Sequence, residues 1–231
     1  MLKNQRKNIL FLKIDIIIMV EYTRNEIRDL IISFIVLSIC FTISTVKMNC
    51  YGAISILPIV TVGVGIGFML RELAQKFVAI KYGYNAEFKM WPLGLLITFI
   101  SSLLGFVLAF VGSIKIDEDD VPDEIKGRTA VAGPMANMAL ALLFIVIATL
   151  IYPLKIHSSV FNLIFLINTV GFSVNSFLAA FNLLPLWTLD GLNVFKWDVK
   201  IWIVTFVLAC IMLVLATIIG AEKMVVMLIG I

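Results

Sequence analysis

The sequence contains little charge, since Asp, Glu, Lys and Arg make up only 14% of its 231 residues, whereas a soluble domain carries roughly 25%. It has one histidine, His157, and its three cysteines, Cys40, Cys50 and Cys210, form no CxxC or other metal-ligand spacing. The composition excludes a soluble enzyme. The net charge of +3 is small and scattered, which argues against a nucleic-acid partner.

Long apolar runs are what the sequence has instead, with 61% apolar residues and a mean hydropathy of +1.08. A membrane-spanning helix needs about 20 apolar residues. Six stretches without any Asp, Glu, Lys or Arg are long enough or nearly so: 30–46, 48–70, 90–114, 129–154, 156–189 and 201–221. The sequence therefore predicts an all-α, polytopic membrane protein with about six transmembrane helices, embedded in a lipid bilayer.

The chain divides into an N-terminal extension over residues 1–22 and a single transmembrane domain over 23–231. The extension is predicted to be interfacial, or to lie outside the translated protein if translation starts at Met19. Thr23 and Glu26 have the spacing of a capping box, which predicts that the first helix begins near Arg24.

Two of the six stretches are less simple than a single crossing. For the third span, 93–111, the sequence leaves open whether it crosses fully or returns to the same side. The fifth stretch has 34 residues, too many for one crossing, so we expect a helix from about Ser159 to Phe181 and then a broken segment from Asn182 to Gly191.

We expect a multi-pass protein of the cell membrane, and the distribution of its basic residues predicts that the N-terminus is cytoplasmic. With six spans, eleven Lys and Arg residues fall on the N-terminal side and six on the other, if Arg71 is set aside as internal. This comparison holds only for an even number of spans.

Ionisable side chains within membrane spans are costly and mark candidate functional sites. Here they are Arg71 and Glu72 on the second span and Asp190 beside the broken segment. Arg71 and Gln75 are four residues apart, so they share a helix face. The same spacing separates the two histidines of a zinc-binding H-E-x-x-H helix, whose Glu activates water. The chain reads R-E-L-A-Q from Arg71 to Gln75, which keeps the Glu and replaces both histidines.

Two further motifs make the comparison specific. The segment N-L-L-P-L-W-T-L-D-G, from Asn182 to Gly191, resembles the N-x-x-P-x-x-x-L-D-G motif of the site-2 protease family, which are intramembrane zinc metalloproteases. The segment G-P-M-A-N, from Gly133 to Asn137, is similar to the G-P-x-x-N segment of that family and lies between the other two motifs, as the family has it. The resemblance covers about residues 53–200 and implies the fold of that family.

The resemblance also implies roles for the matching positions. Glu72 stands at the position of the general base, and Asp190 stands at the position of the third zinc ligand. Asn137 and Asn182 stand where polar groups line the site or hold a substrate backbone, and Pro185 is a further candidate for the substrate cleft. The two asparagines can alternatively be interhelical hydrogen-bonding residues.

The zinc expected for the family is not expected here. Arginine is always protonated and has no lone pair for a metal, and the neutral amide of Gln75 is a poor zinc ligand. His157 lies in a loop and cannot restore a site with two histidines. We therefore predict no metal and a vestigial metal site formed by Arg71, Gln75 and Asp190.

Charge suggests what replaces the ion. Zinc with one Asp ligand and a Glu base has a net charge of zero, whereas Arg71, Glu72 and Asp190 sum to −1. We expect Arg71 to occupy the metal position and to pair with Asp190, with Gln75 hydrogen-bonding alongside. The alternative is that Arg71 reaches the membrane interface and that Glu72 pairs with Lys76.

The sequence favours a pseudoprotease that does not hydrolyse peptides and binds transmembrane segments of other proteins in a retained cleft. Two alternatives stay open. One is an active intramembrane peptidase with an atypical metal site. The other is a small-solute or proton transporter that uses Arg71 and the two carboxylates, although no internal repeat supports it.

Overall fold

The computed structural model describes residues 21–46, 50–118, 120–186 and 188–230, so nearly all of the predicted extension over 1–22 lies outside the described residues. Five helical stretches are long and apolar enough to cross a membrane. In chain order the elements are α1 (Arg24–Val46), α2 (Cys50–Lys81), β1 (Ala86–Met90), α3 (Pro92–Leu103), β2 (Gly112–Ile116), α4 (Asp123–Ile151), α5 (Ser159–Asn182), α6 (Asp190–Trp197), α7 (Val199–Val214) and α8 (Ala221–Ile229). The prediction of an all-α polytopic membrane protein is confirmed.

Helix α1 begins where the capping box predicts. The backbone N–H of Glu26 donates to Thr23 Oγ1 at 3.1 Å, which satisfies one free donor of the first turn. The reciprocal half of the box is not formed, because the Glu26 carboxylate accepts from Lys76 Nζ and from the backbone N–H of Phe88 instead. The first helix is thus tied to the second helix and to the first strand.

The third predicted span, 93–111, does not cross the membrane. Its helix, α3, has 12 residues, about 18 Å of the roughly 30 Å hydrocarbon core. The strands on either side of it pair antiparallel, with Ala86 opposite Ile116 and Met90 opposite Gly112. Because the two strands run side by side, the chain enters and leaves on one side. The count of about six spans becomes five described spans and one re-entrant segment.

Hydroxyl groups of α3 form hydrogen bonds with the backbone of residues 108–110, where the re-entrant segment returns to the hairpin. Thr98 Oγ1 lies 2.5 Å from the carbonyl oxygen of Leu108 and accepts a hydrogen bond from the N–H of Phe110. Ser101 Oγ accepts from the N–H of Leu108 at 2.9 Å. Irregular backbone is tolerated at membrane depth only where its polar groups are satisfied and covered, and these side chains of α3 meet that condition.

The re-entrant segment changes which loops share a side of the membrane. The β1–β2 hairpin, the start of α4 and helix α6 lie on the side where α1 begins, and the α4–α5 turn and α8 lie on the other. The predicted ratio of eleven to six basic residues is therefore wrong. Among described Lys and Arg residues other than Arg71, two are on the far side, Lys155 and Lys223. Ten are on the α1 side: Arg24, Arg28, Lys76, Lys81, Lys89, Lys115, Lys126, Arg128, Lys196 and Lys200.

Helices α2 and α5 approach each other closely through glycine. A Cβ added to Gly63 would lie 3.1 Å from Cα of Gly171, and one added to Gly67 would lie 2.1 Å from Oδ1 of Asn175. Asn175 Nδ2 donates to the carbonyl of Gly63 at 3.3 Å. Small residues of this kind let membrane helices pack backbone against backbone. The contact at Gly67 lies one helical turn from Arg71, so it holds α2 against α5 close to the polar residues described below.

The re-entrant arrangement predicts a labelling pattern. In a protein without its three native cysteines, we expect Lys81→Cys and Lys115→Cys to react with a membrane-impermeant maleimide from the same side. Lys223→Cys is expected to react only from the opposite side. Intact cells and inverted vesicles provide the two directions of access. Reaction of Lys81→Cys and Lys223→Cys from one side, with Lys115→Cys reacting only from the other, would show that residues 93–111 cross the membrane.

Candidate functional site

Arg71 and Glu72 lie within α2, about 15 Å along the helix from its end at Lys81. Their side chains are 3% and 4% exposed, so the guanidinium does not reach the membrane interface. Lys76 pairs with Glu26 at 2.5 Å rather than with Glu72. The alternative in which Arg71 extends to the interface and Glu72 pairs with Lys76 is therefore wrong.

The Arg71 guanidinium is the centre of a buried polar cluster. Its Nη2 lies 2.6 Å from Asp190 Oδ2 and donates to Asn182 Oδ1 at 3.1 Å. Its Nη1 pairs with Glu72 Oε1. Arg71 and Asp190, the two side chains expected to pair, are thus in direct contact. One cation joins the polar residues of α2, the end of α5 and the start of α6.

The segment between α5 and α6 folds back on itself and so places Asp190 beside α2. Helix α5 ends at Asn182 and α6 begins at Asp190, so the expected break in the fifth stretch is present in the described residues. A Cβ added to Gly191 would lie 2.1 Å from the carbonyl oxygen of Leu183, which only glycine permits. Trp202 Nε1 on α7 donates to the same carbonyl at 2.8 Å. Pro185 is exposed at this bend and does not line the cleft described below.

Helix α4 packs on the other side of Arg71 through the G-P-M-A-N segment. A Cβ added to Gly133 would lie 2.6 Å from Gln75 Nε2 and 2.9 Å from Cγ of Arg71, so this glycine leaves room for both side chains. Gln75 Nε2 donates to the carbonyl of Ala130 at 3.3 Å. Gln75 therefore binds α4, and no hydrogen bond from it to Arg71 or Asp190 is present among the described residues.

Asn137 lies one helical turn beyond Gly133 on α4 and is completely buried. Neither of its amide atoms has a hydrogen-bond partner in the described part of the chain, and the same is true of Glu72 Oε2, Gln75 Oε1 and Thr129 Oγ1. Buried polar groups are normally hydrogen-bonded to protein, water or ligand. These atoms can therefore accept from, or donate to, a polar molecule that enters the site.

A polar cleft of about 280 Å³ adjoins the cluster. Gln75 and Asp190 line it, and so the site opens toward the side of the membrane on which α1 begins. Strand β2 forms one wall, and the first turns of α4 and the start of α6 form the others. The further lining residues are Ser113, Ile114, Lys115, Ile116, Glu118, Val121, Lys126, Thr129, Ala130, Thr188, Leu189 and Asn193.

The donors around Asp190 do not fit a zinc ion. Catalytic zinc takes three protein ligands and an open fourth position, but the group that faces Asp190 is a guanidinium without a lone pair. That guanidinium already engages Asn182 and Glu72. Among the residues that the structure describes, no group of three His, Cys, Asp or Glu side chains could hold a metal ion. No reaction step through a metal follows from these side chains.

The helices and the buried charged cluster together define a polytopic membrane protein with a polar site inside the bundle. No protein-family model matches the chain, and no solved structure matches it. A relative described as "Putative zinc metalloprotease MJ0611", from Methanocaldococcus jannaschii, is 37% identical over 183 residues. The alignment covers 79% of this chain and 89% of the relative. The chain therefore belongs to the same family as this relative, a metalloprotease-like family.

The ion pair between Glu26 and Lys76 has no counterpart in the predictions from sequence. The partners are 50 residues apart on different helices, so no local spacing reveals them. A signal was available, however. Glu26 and Asp29 both lie in the first two turns of a membrane helix, and both are buried. Two acidic side chains on one face of such a helix indicate partners elsewhere in the fold.

The buried pair predicts a large effect of removing its cation. Arg71→Ala leaves Asp190 and Glu72 buried without their counter-charge, which costs on the order of 3 to 5 kcal/mol. We expect a strongly lowered midpoint of thermal unfolding for the variant purified in detergent. The measurement is the loss of helical circular dichroism on heating.

Arg28→Ala is the matched control for this prediction. Arg28 also pairs with a carboxylate, that of Asp29, but its side chain is 59% exposed. Exposed pairs contribute roughly 1 kcal/mol or less, so the control is expected to unfold nearly as the unmodified protein does. An Arg71→Ala variant as stable as Arg28→Ala would contradict the central role of the buried pair.

Proposed function

We propose that this protein is a non-catalytic member of the site-2 protease family in the cell membrane, a pseudoprotease that binds transmembrane proteins through an extended segment. One observation carries the proposal: the guanidinium of Arg71 lies against Asp190 and Glu72. These two residues match the zinc ligand and the general base of the family. A fixed organic cation therefore takes the place of the dication.

The substitution removes the chemistry and keeps the attraction between the helices. A general base in a metalloprotease takes a proton from water whose acidity the metal has raised. In this cluster Glu72 Oε1 is paired with Arg71, which cannot coordinate water as a Lewis acid. The positive charge still holds α2 against the Leu-Asp-Gly segment. Fold and cleft are retained without a means of hydrolysing a peptide bond.

The backbone of β2 supports binding of an extended peptide. Trp91 N–H donates to Val111 O, and Asp117 N–H donates to Asn85 O. The odd-numbered residues therefore form the hydrogen-bonded pairs of the ladder, with their N–H and C=O groups directed at the other strand. The peptide groups of Ile114 and Ile116 consequently point away from β1. This outer edge of β2 lines the polar cleft. A peptide that adds as a strand is a common mode of recognition at such an edge.

Side chains in the same cleft complement a peptide backbone. Gln75 Oε1 is an acceptor and Thr129 Oγ1 is a donor, and both are buried without partners in the described residues. A peptide group presents one donor and one acceptor. The pair can therefore hold one peptide unit of a strand that lies along β2. Asn182 is already engaged by Arg71 and by the carbonyl of Leu178, whereas the amide of buried Asn137 is unpaired in the described residues.

The proposed orientation places this cleft in the cytoplasm. Ten of the twelve described basic residues other than Arg71 lie on the side where α1 begins. Basic residues accumulate on the cytoplasmic side of membrane proteins. We therefore place the N-terminus and the cleft on that side, where a partner protein would present the chain that flanks its transmembrane segment.

An active peptidase is the second candidate, because the relative carries the description "Putative zinc metalloprotease". Metal content separates the two functions. We expect the purified protein to contain no stoichiometric zinc after equilibration with the ion. The measurement is inductively coupled plasma mass spectrometry on protein freed of unbound metal, and stoichiometric zinc would overturn the proposal.

Restoration of the ligands gives the complementary experiment. Arg71→His with Gln75→His supplies the two missing imidazoles beside Asp190, and we expect this double variant to bind one zinc ion per chain. Arg71→His alone is the matched control, because it offers one histidine and the carboxylate, too few for a catalytic zinc site. Equal zinc uptake by the two variants would show that Gln75 does not lie at the second ligand position.

A further inference from the structure

Glu26 connects three elements through one buried carboxylate. Its side chain on α1 is 1% exposed. Its Oε2 lies 2.5 Å from Nζ of Lys76 on α2, and its Oε1 accepts from the backbone N–H of Phe88 on β1 at 3.0 Å. A buried carboxylate is costly unless it is paired and hydrogen-bonded, and here both oxygens are engaged. The first helix, the site helix and the hairpin are therefore held together at one point.

Asp29 repeats the contact one helical turn further along α1. Its Oδ2 accepts from the backbone N–H of Met90 at 3.2 Å, and its Oδ1 is bound by Arg28. The N–H groups of Phe88 and Met90 are successive donors on the outer edge of β1, since donors on one edge recur every second residue. Carboxylates of α1 thus take the place of a neighbouring strand and close this edge.

Lys76 links the closed edge to the polar site. It is 4% exposed and lies one turn beyond Glu72 on α2. Besides Glu26, its Nζ donates to the backbone carbonyl of Glu21 at 2.6 Å and lies 4.1 Å from the centre of the Tyr22 ring. The helix that carries Arg71 is therefore coupled through Lys76 and Glu26 to the strand that pairs with β2.

We propose that Glu26 is a positioning residue that sets the hairpin, and with it the open edge of β2, at a fixed distance from the start of α6. Glu26 acts through β1 and Lys76 and touches neither the cleft nor Arg71. Its importance for recognition rests on the proposed binding of a peptide along β2. The position of the hairpin itself can be measured without any peptide.

The distance across the cleft tests this proposal. Lys115 on β2 and Asn193 on α6 are exposed and both line the cleft, so nitroxide labels at Lys115→Cys and Asn193→Cys report its width. The sample is the full chain without native cysteines in lipid nanodiscs, and the method is double electron–electron resonance. With Glu26 present we expect one narrow distance distribution. With Glu26→Ala we expect a distribution that is shifted or roughly twofold broader, because the hairpin loses its anchor.

Two further variants separate positioning from charge pairing. Glu26→Gln with Lys76→Met keeps an amide oxygen that can accept from the N–H of Phe88, so we expect the narrow distribution to return. Glu26→Lys with Lys76→Glu restores an ion pair between α1 and α2 but removes the acceptor. For this charge exchange we expect recovered thermal stability together with the broad distribution.

An unchanged distribution for Glu26→Ala would overturn the proposal. A narrow distribution for the charge exchange would do so as well, because it would show that the ion pair alone fixes the hairpin. Arg28→Ala serves as the control for loss of a charge at the start of α1. Neither outcome bears on the metal content of the protein, so failure here is distinguishable from failure of the proposed function.

Discussion

The permanent positive charge of Arg71 inside the helix bundle is the constraint on which the site depends. A guanidinium cannot lose its proton, so its burial requires anionic or polar acceptors. Asp190, Glu72 and Asn182 accept from its two terminal nitrogens, whereas Nε has no partner among the described residues. The turn at Gly191 brings Asp190 within reach, and the missing side chain at Gly133 leaves space for the stem of Arg71. Two glycines that are far apart in the sequence, Gly133 and Gly191, thus both allow the buried position of the Arg71 guanidinium.

The same constraint explains why the acidic residues persist beside an arginine. Once a buried cation is present, loss of either carboxylate leaves an uncompensated charge, so the three side chains depend on one another. The cluster has one negative charge more than a zinc site with the same two acids. Glu72 Oε2 is the carboxylate oxygen of the cluster that is buried without a partner in the described chain. The ion pair therefore holds α2 against the start of α6.

Much of this arrangement could be predicted from sequence, because the signals are local or carried by motifs. The apolar runs predicted the spans, and Thr23 predicted the start of α1. The motif residues predicted the contact between Arg71 and Asp190. For residues 93–111 the sequence left open whether the chain crosses, because apolar length does not distinguish a crossing from a return. Its signal lies in Thr98 and Ser101, whose hydroxyls pair with irregular backbone. The network around Glu26 was missed because its partners come from other elements.

The hairpin has two sheet edges, and a peptide group that is buried without a partner costs several kcal/mol. The outer edge of β1 avoids this cost because Glu26 and Asp29 accept its N–H groups. The outer edge of β2 is not closed in this way, and it lies along a cleft whose walls are polar. An open edge is stable only where water or another peptide reaches it. The polar cleft therefore supplies what the hairpin requires, and the open edge of β2 and the buried cluster adjoin the same cleft.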